Sequence, residues 1–276
     1  MRRLLLCTDL DRTLIPNGRA PESPQARRLF ARLAACPQVT LAYVTGRHQA
    51  LIQQAMLDYD LPTPAFAIAD VGATLYQVRG GQWQRWTAWD DHIAPDWGGT
   101  SHTELRQLLG GISALTLQEP HKQARHKLSF YAPMQSEPQA LLAQIEPILR
   151  RHGVRANLIW SLDEATQQGL LDILPARANK LHAIAFLMAA QGFDRDATVF
   201  AGDSGNDLEA LQSDLPAVLV ANADADIRRR VTAESPDRLY LARGDFLGMN
   251  GNYSAGILEG VAHHHPDIAD WLHQQR

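Results

Sequence analysis

Six short apolar runs recur along this chain, at residues 4–8, 40–44, 66–69, 198–201, 217–220 and 239–241, with turn-forming, hydroxylated or acidic residues at or just beyond their ends. Runs this short and this continuously apolar suit strands buried on both faces, as strands are in a parallel sheet. Stretches of helical periodicity lie between several of them: residues 24–35 after the first run, 49–57 after the second and 181–190 before the fourth. In the last, Leu181, Ile184, Ala185 and Met188 stand at i, i+3, i+4 and i+7, the spacing of one helix face. Strand and helix in alternation predict an α/β fold with a doubly wound, Rossmann-like parallel sheet as its core.

That rhythm breaks in the middle of the chain. A Gly- and Trp-rich stretch at 80–99 leads to a helix-like 103–109, an apolar 115–117, a strand-like 127–131, a helical 139–152, and strand-like 154–160 and 170–174. Strands flanking one or two helices predict an inserted α+β domain at 89–167, which leaves 1–88 and 168–276 as the core. A length of 276 residues fits one main core with a smaller insert, and 45% hydrophobic with 20% charged residues fits a packed globular chain.

The formal net charge of −4 offers no basic footprint for nucleic acid, so any anionic ligand must be held locally. Apolar runs fall well short of the ~18 residues that span a bilayer, and the opening residues reach Asp9 and Asp11 too soon for a signal peptide. No nucleic-acid partner, no membrane and a cytoplasmic location are therefore expected. Cys7 and Cys36 have neither metal-site nor disulfide spacing and read as inert thiols.

Ligands of open α/β sheets bind beyond the carboxyl ends of the strands, and four such places carry apt chemistry. Asp9-Leu10-Asp11-Arg12-Thr13 follows the first run and sets two carboxylates on one side of an extended turn; their mutual repulsion invites a cation and separates their pKa values. Taken alone, the same residues would serve as a surface turn. Thr45-Gly46-Arg47 follows the second run, where a hydroxyl and a backbone N–H free of a Cβ can meet a phosphoryl oxygen; a helix cap would use the same pair. Lys180 stands at a helix N-terminus, against the dipole preference, as if offsetting an anion; a solvated surface lysine is the plainer account. Gly202-Asp203-Ser204-Gly205-Asn206-Asp207 follows the fourth run with two acids and an amide, an oxygen-rich set that suits Mg²⁺.

In this order and placement the four segments resemble the motifs of the haloacid dehalogenase (HAD) superfamily. Arg12 departs from the pattern, since many relatives have glycine there. The resemblance implies a phosphatase in which Asp9 is the nucleophile and Asp11 the general acid and base. It implies Mg²⁺ held by Asp9, the backbone carbonyl of Asp11, Asp203 and Asp207. It also implies phosphate binding by Thr45, Gly46, Lys180 and Asn206. The insert is similar to the superfamily's α+β cap, which supplies substrate contacts. Within it, residues 123–131 alternate so that Lys127, Ser129 and Tyr131 share a polar face; His126, Lys127 and Ser129 are the expected cap contacts, with Arg47 and Gln49 nearer the core.

The 123–131 segment, the 202–207 loop and the tail at 255–260 are similar to the sucrose-phosphate phosphatase branch. That likeness implies sucrose 6-phosphate as substrate, with mannosylfructose phosphate and glucosylglycerate-type phosphates left open, as are a sugar phosphomutase and a non-catalytic sugar-phosphate sensor. A glycosyltransferase partner is implied by the resemblance alone. Oligomeric state is not legible in the sequence.

Overall fold

The computed structural model describes residues 2–163, 166–233 and 237–275; Glu164 and Ala165, inside the expected insert, lie outside the described residues. The first half of the chain forms β1 (Leu4–Thr8), α1 (Ala26–Ala34), β2 (Val39–Val44), α2 (Gln49–Asp58), β3 (Phe66–Ala69), β4 (Thr74–Arg79), β5 (Gln82–Arg85) and α3 (Thr87–Ile93). Next come α4 (His102–Leu109), β6 (Thr116–Leu117), β7 (Leu128–Pro133), α5 (Pro138–Arg151), β8 (Ala156–Asp163) and β9 (Gln168–Pro175). The last part forms α6 (Lys180–Gln191), β10 (Thr198–Gly202), α7 (Leu208–Leu211), β11 (Ala217–Leu219), α8 (Ala225–Ala233), β12 (Leu239–Leu241), α9 (Ser254–His264) and α10 (Pro266–Gln274).

The larger sheet runs β12-β11-β10-β1-β2-β3-β4-β5, parallel from β12 to β3 and antiparallel through the β4–β5 hairpin. Alternation within β1 shows why it is buried on both faces. Leu4 and Leu6 pack with Phe30 of α1, Ile52 of α2, Ile257 of α9 and Leu272 of α10, while Leu5 and Cys7 pack with Trp89 of α3, Ile184 of α6, Leu211 of α7 and Val231 of α8. Truncating a fully buried ring such as Phe30 to alanine costs about 3–5 kcal/mol. Burial also pushes the Cys7 thiol pKa up, as an inert thiol requires.

The smaller sheet, β6-β7-β9-β8, is antiparallel throughout and has its own core, in which Leu128, Phe130, Leu171 and Ile173 meet Leu105 and Leu109 of α4 and Leu141, Ile145 and Leu149 of α5. Its edges differ from the expected 89 and 167. Residues 168–175, assigned to the core by sequence, are β9, which pairs with β7 and β8 and turns Leu171 and Ile173 into the smaller core. At the other edge Trp89 and Ile93 of α3 pack under the large sheet. The two crossings between the sheets share one carboxylate: buried Asp96 accepts from Arg177 N at 2.8 Å and Nε at 3.0 Å, and also pairs with Arg155.

Candidate active site

The strand order brings β1, β2 and β10 side by side and parallel, so the residues after each meet at one edge of the sheet: Asp9, Thr45 and Asp203. Lys180 joins them from the side. Asn179 caps α6, its Oδ1 accepting from His182 N at 2.8 Å, and this places Lys180 on the first turn, pointing inward and only 2% exposed. Its ammonium donates to Asp207 Oδ1 at 2.6 Å, Asp9 Oδ1 at 2.9 Å and Asn206 Oδ1 at 2.9 Å.

Asp207 holds its own loop together. Its Oδ2 accepts from the backbone N–H groups of Asp203 at 3.1 Å and Ser204 at 3.0 Å, and from Ser204 Oγ at 3.0 Å. The carboxylate folds back over Gly202, where an added Cβ would lie 2.6 Å from Asp207 Cγ, so glycine is needed at that position. Asp203 is 1% exposed; Oδ1 accepts from Thr13 Oγ1 at 2.9 Å, while Oδ2 has no hydrogen-bond partner and lies 3.3 Å from Arg12 Nε, too poorly aligned to bond. Ligand oxygens of Asp9, Asp203 and Asp207 lie within 4.8 Å of one another. Burial, with Asp207 alongside, pushes Asp203 up to about 7. Burial pushes Asp9 up as well, against Lys180.

The Asp11 carboxylate is not one of these clustered ligand groups and has partners of its own. Arg47 grips its carboxylate with Nε at 2.8 Å and Nη2 at 2.6 Å, and Asn17 Nδ2 adds a bond at 2.7 Å. Burial would raise the Asp11 pKa, but these bonds outweigh it and hold the group below the usual carboxylate range. Arg47, expected to meet substrate, is thus engaged with Asp11. Thr45 is buried, its Oγ1 accepting from Arg47 N at 3.2 Å.

Asp9, Asp11, Thr45, Gly46, Asp203 and Asn206 line a hollow of about 290 Å³. Through Gly46, Leu51, Ser204 and Asn206 it continues into a cleft of about 1150 Å³ between the two sheets, whose far wall is Lys122, Lys127, Asn157, Trp160 and Asp172.

A family model described as sucrose-6F-phosphate phosphohydrolase matches residues 2–265. The chain belongs to that family. It is a family of phosphoric monoester hydrolases within the HAD superfamily. A HAD-like hydrolase of Nitrosococcus oceani is 54% identical over the whole chain and 75% of its own length. Sucrose-phosphatase 1 of Nicotiana tabacum is 27% identical over 95% of the chain, which spans 59% of that relative's length. The mannosylfructose-phosphate phosphatase of Agrobacterium fabrum is 28% identical over 94% of the chain and 96% of its own length. Among solved structures, the sucrose-phosphatase of Synechocystis sp. PCC6803 in complex with sucrose and phosphate superposes with a TM-score of 0.75 at 26% identity, covering 96% of this chain and 98% of that one.

HAD phosphatases generally use a divalent metal, and the buried Asp203 Oδ2 beside Asp9, which accepts no hydrogen bond, fits that use. Both Asp207 oxygens are already hydrogen-bonded, which suits positioning and a water-mediated contact better than direct ligation.

The expected substrate contacts divide. Lys127 lines the cleft, with Nζ 3.6 Å from Asp172 Oδ2 and 3.9 Å from Asp70 Oδ1. Ser129 is buried behind it and donates to Asp172 Oδ1 at 2.5 Å. His126 packs edge-on against Trp97, with Nδ1 3.7 Å from Asp90 Oδ1, beyond hydrogen-bond reach. Neither His126, Ser129 nor Gln49, the first residue of α2, is among the residues lining hollow or cleft. Period-two alternation explains His126: it shares the inward phase of Leu128 and Phe130. Asp172 went unpredicted, although a lone acid in Leu170-Leu171-Asp172-Ile173-Leu174 is the kind of signal a ligand-facing strand position leaves.

Proposed function

We propose that this protein is a Mg²⁺-dependent sugar phosphatase acting through an aspartyl phosphate, with sucrose 6-phosphate as its substrate. One observation carries the chemistry: Asp9 lies at the end of β1, held by a buried lysine, beside Asp203 and below a cleft large enough for a disaccharide. At about 1150 Å³ the cleft exceeds the ~300–1,000 Å³ of most small-molecule sites.

Asp9 attacks phosphorus, forming a new O–P bond as the bond to the sugar oxygen breaks. Asp11 gives its proton to the departing oxygen, then takes one from the water that splits the aspartyl phosphate, which returns Asp9 as carboxylate and releases phosphate. For this the Arg47 fork has to open, since it holds Asp11 ionised. Lys180, Asn206, Thr45 and the Gly46 N–H stabilise the charge spread over the phosphoryl oxygens. Mg²⁺ held by Asp9, Asp203 and the Asp11 carbonyl, with Asp207 through water, would offset the repulsion between carboxylate and phosphate.

For the sugar, the mixed lining of the cleft supports the assignment. Lys127, Asp172, Asn157 and Lys122 offer hydrogen bonds to hydroxyls, and Trp160 offers an apolar face to a ring. The Agrobacterium relative makes mannosylfructose phosphate the second candidate. Phosphate release from a panel of disaccharide, glycosylglycerate and hexose phosphates tests the assignment. Preference for sucrose 6-phosphate supports it; preference for another ester moves the substrate and keeps the mechanism.

A further inference from the structure

Arg12 adopts φ of +58°, a conformation glycine takes without strain, yet it carries a long cationic side chain. Two asparagines hold it there: Arg12 N–H donates to Asn17 Oδ1 at 2.8 Å, and Arg12 carbonyl accepts from Asn222 Nδ2 at 2.6 Å. The guanidinium stands between two unlike carboxylates. Nε lies 3.3 Å from Oδ2 of Asp203, which is 1% exposed, and Nη2 lies 3.0 Å from Oδ2 of Asp224, which is 67% exposed.

We infer that Arg12 is a positioning residue that competes with the divalent cation for Asp203, and that Asp224 draws the guanidinium aside, so that the pair sets metal affinity. The inference rests on Asp9 and Asp203 forming a divalent-cation site. Thr13 already occupies Asp203 Oδ1, so Arg12 and a metal ion would share the same remaining oxygen. A dication held by that oxygen would share it with a guanidinium whose Nε lies 3.3 Å away, and like charges competing for one carboxylate oxygen repel. Occupancy would then follow the free concentration of the metal instead of saturating at trace levels.

Calorimetric titration of the chelator-stripped protein with Mg²⁺, and separately with Mn²⁺, tests this without reference to turnover. Arg12→Gly keeps the backbone conformation and removes the charge; its Kd falls about two- to fivefold. Arg12→Gln keeps the side chain's length and shifts the same way. Asp224→Asn frees the guanidinium to rest on Asp203, and its Kd rises. Opposite signs separate competition from a structural contribution, which would weaken binding in all three variants. Asp203→Asn is the control. If wild type binds and the control does not, an unchanged or higher Kd in both Arg12 variants overturns the inference alone. If wild type binds no divalent ion, the metal assignment fails and the inference with it.

Discussion

Replacing Lys180 by methionine keeps an unbranched, apolar side chain of similar length and removes the ammonium between Asp9 and Asp207. Lys180 is 2% exposed, Asp9 5% and Asp207 fully buried, so the two carboxylates would lose the counter-ion that burial makes hard to replace. Removing one partner of a buried ion pair costs about 3–5 kcal/mol, because the charge that remains is uncompensated. At about 2.1 cal/mol/K of unfolding entropy per residue, 276 residues give roughly 0.58 kcal/mol/K and a fall in midpoint of about 5–9 °C. Differential scanning calorimetry in chelator at pH 8 reads this directly. Protonation relieves the repulsion, so the fall should shrink at pH 5, and added divalent cation should restore part of it at pH 8. A shift under about 2 °C, or a larger one at pH 5 than at pH 8, would refute the view that Lys180 neutralises buried carboxylates.

The same groups set the pH dependence of the metal-free protein. Asp203, pushed up to about 7, keeps in the folded state a proton that the unfolded chain releases near pH 4. The folded state therefore binds more protons in that window, and this contribution to stability falls as pH rises from about 4 to 7. Melts in chelator should show the loss, and saturating Mg²⁺ should flatten it. Arg47→Met removes the fork on Asp11 and raises its pKa, so the profile of kcat/KM against pH should move to higher pH. An unmoved profile would separate Asp11 from the rate-limiting proton transfer. In Gly169→Ala the new methyl collides with the Trp160 indole, which lines the cleft. KM should rise several-fold with kcat little changed, and tryptophan emission should shift; unchanged KM would place the sugar away from Trp160.

Strands β1 and β3 stand at the residues their apolar runs marked, since a strand buried on both faces leaves an unbroken signal, and half-buried β12 at the sheet edge falls on its short run as well. The β4–β5 hairpin was lost because both strands are partly polar at the sheet edge, although Gly80 and Gly81, at φ of +56° and +77°, are the turn residues such a hairpin uses. Strand β9 was legible as a strand and illegible as a member of the smaller sheet: five apolar-rich residues do not say which partner will bury them. The core motifs could be placed because parallel topology sends every strand end to one edge. The grip of Arg47 on Asp11 and the partners that Lys180 and Asp172 find depend on residues far apart in sequence meeting in the fold; local position hints at an anion near Lys180 and a ligand-facing acid at Asp172 without naming their partners.

Phosphate release from sucrose 6-phosphate by wild type and Asp9→Asn, each with Mg²⁺ and with chelator, tests the central claim most directly. Wild type should release phosphate with Mg²⁺ alone, and the variant none above background, since its amide cannot form the aspartyl phosphate. Release by Asp9→Asn at a rate near wild type would contradict it, because the nucleophile would then lie elsewhere.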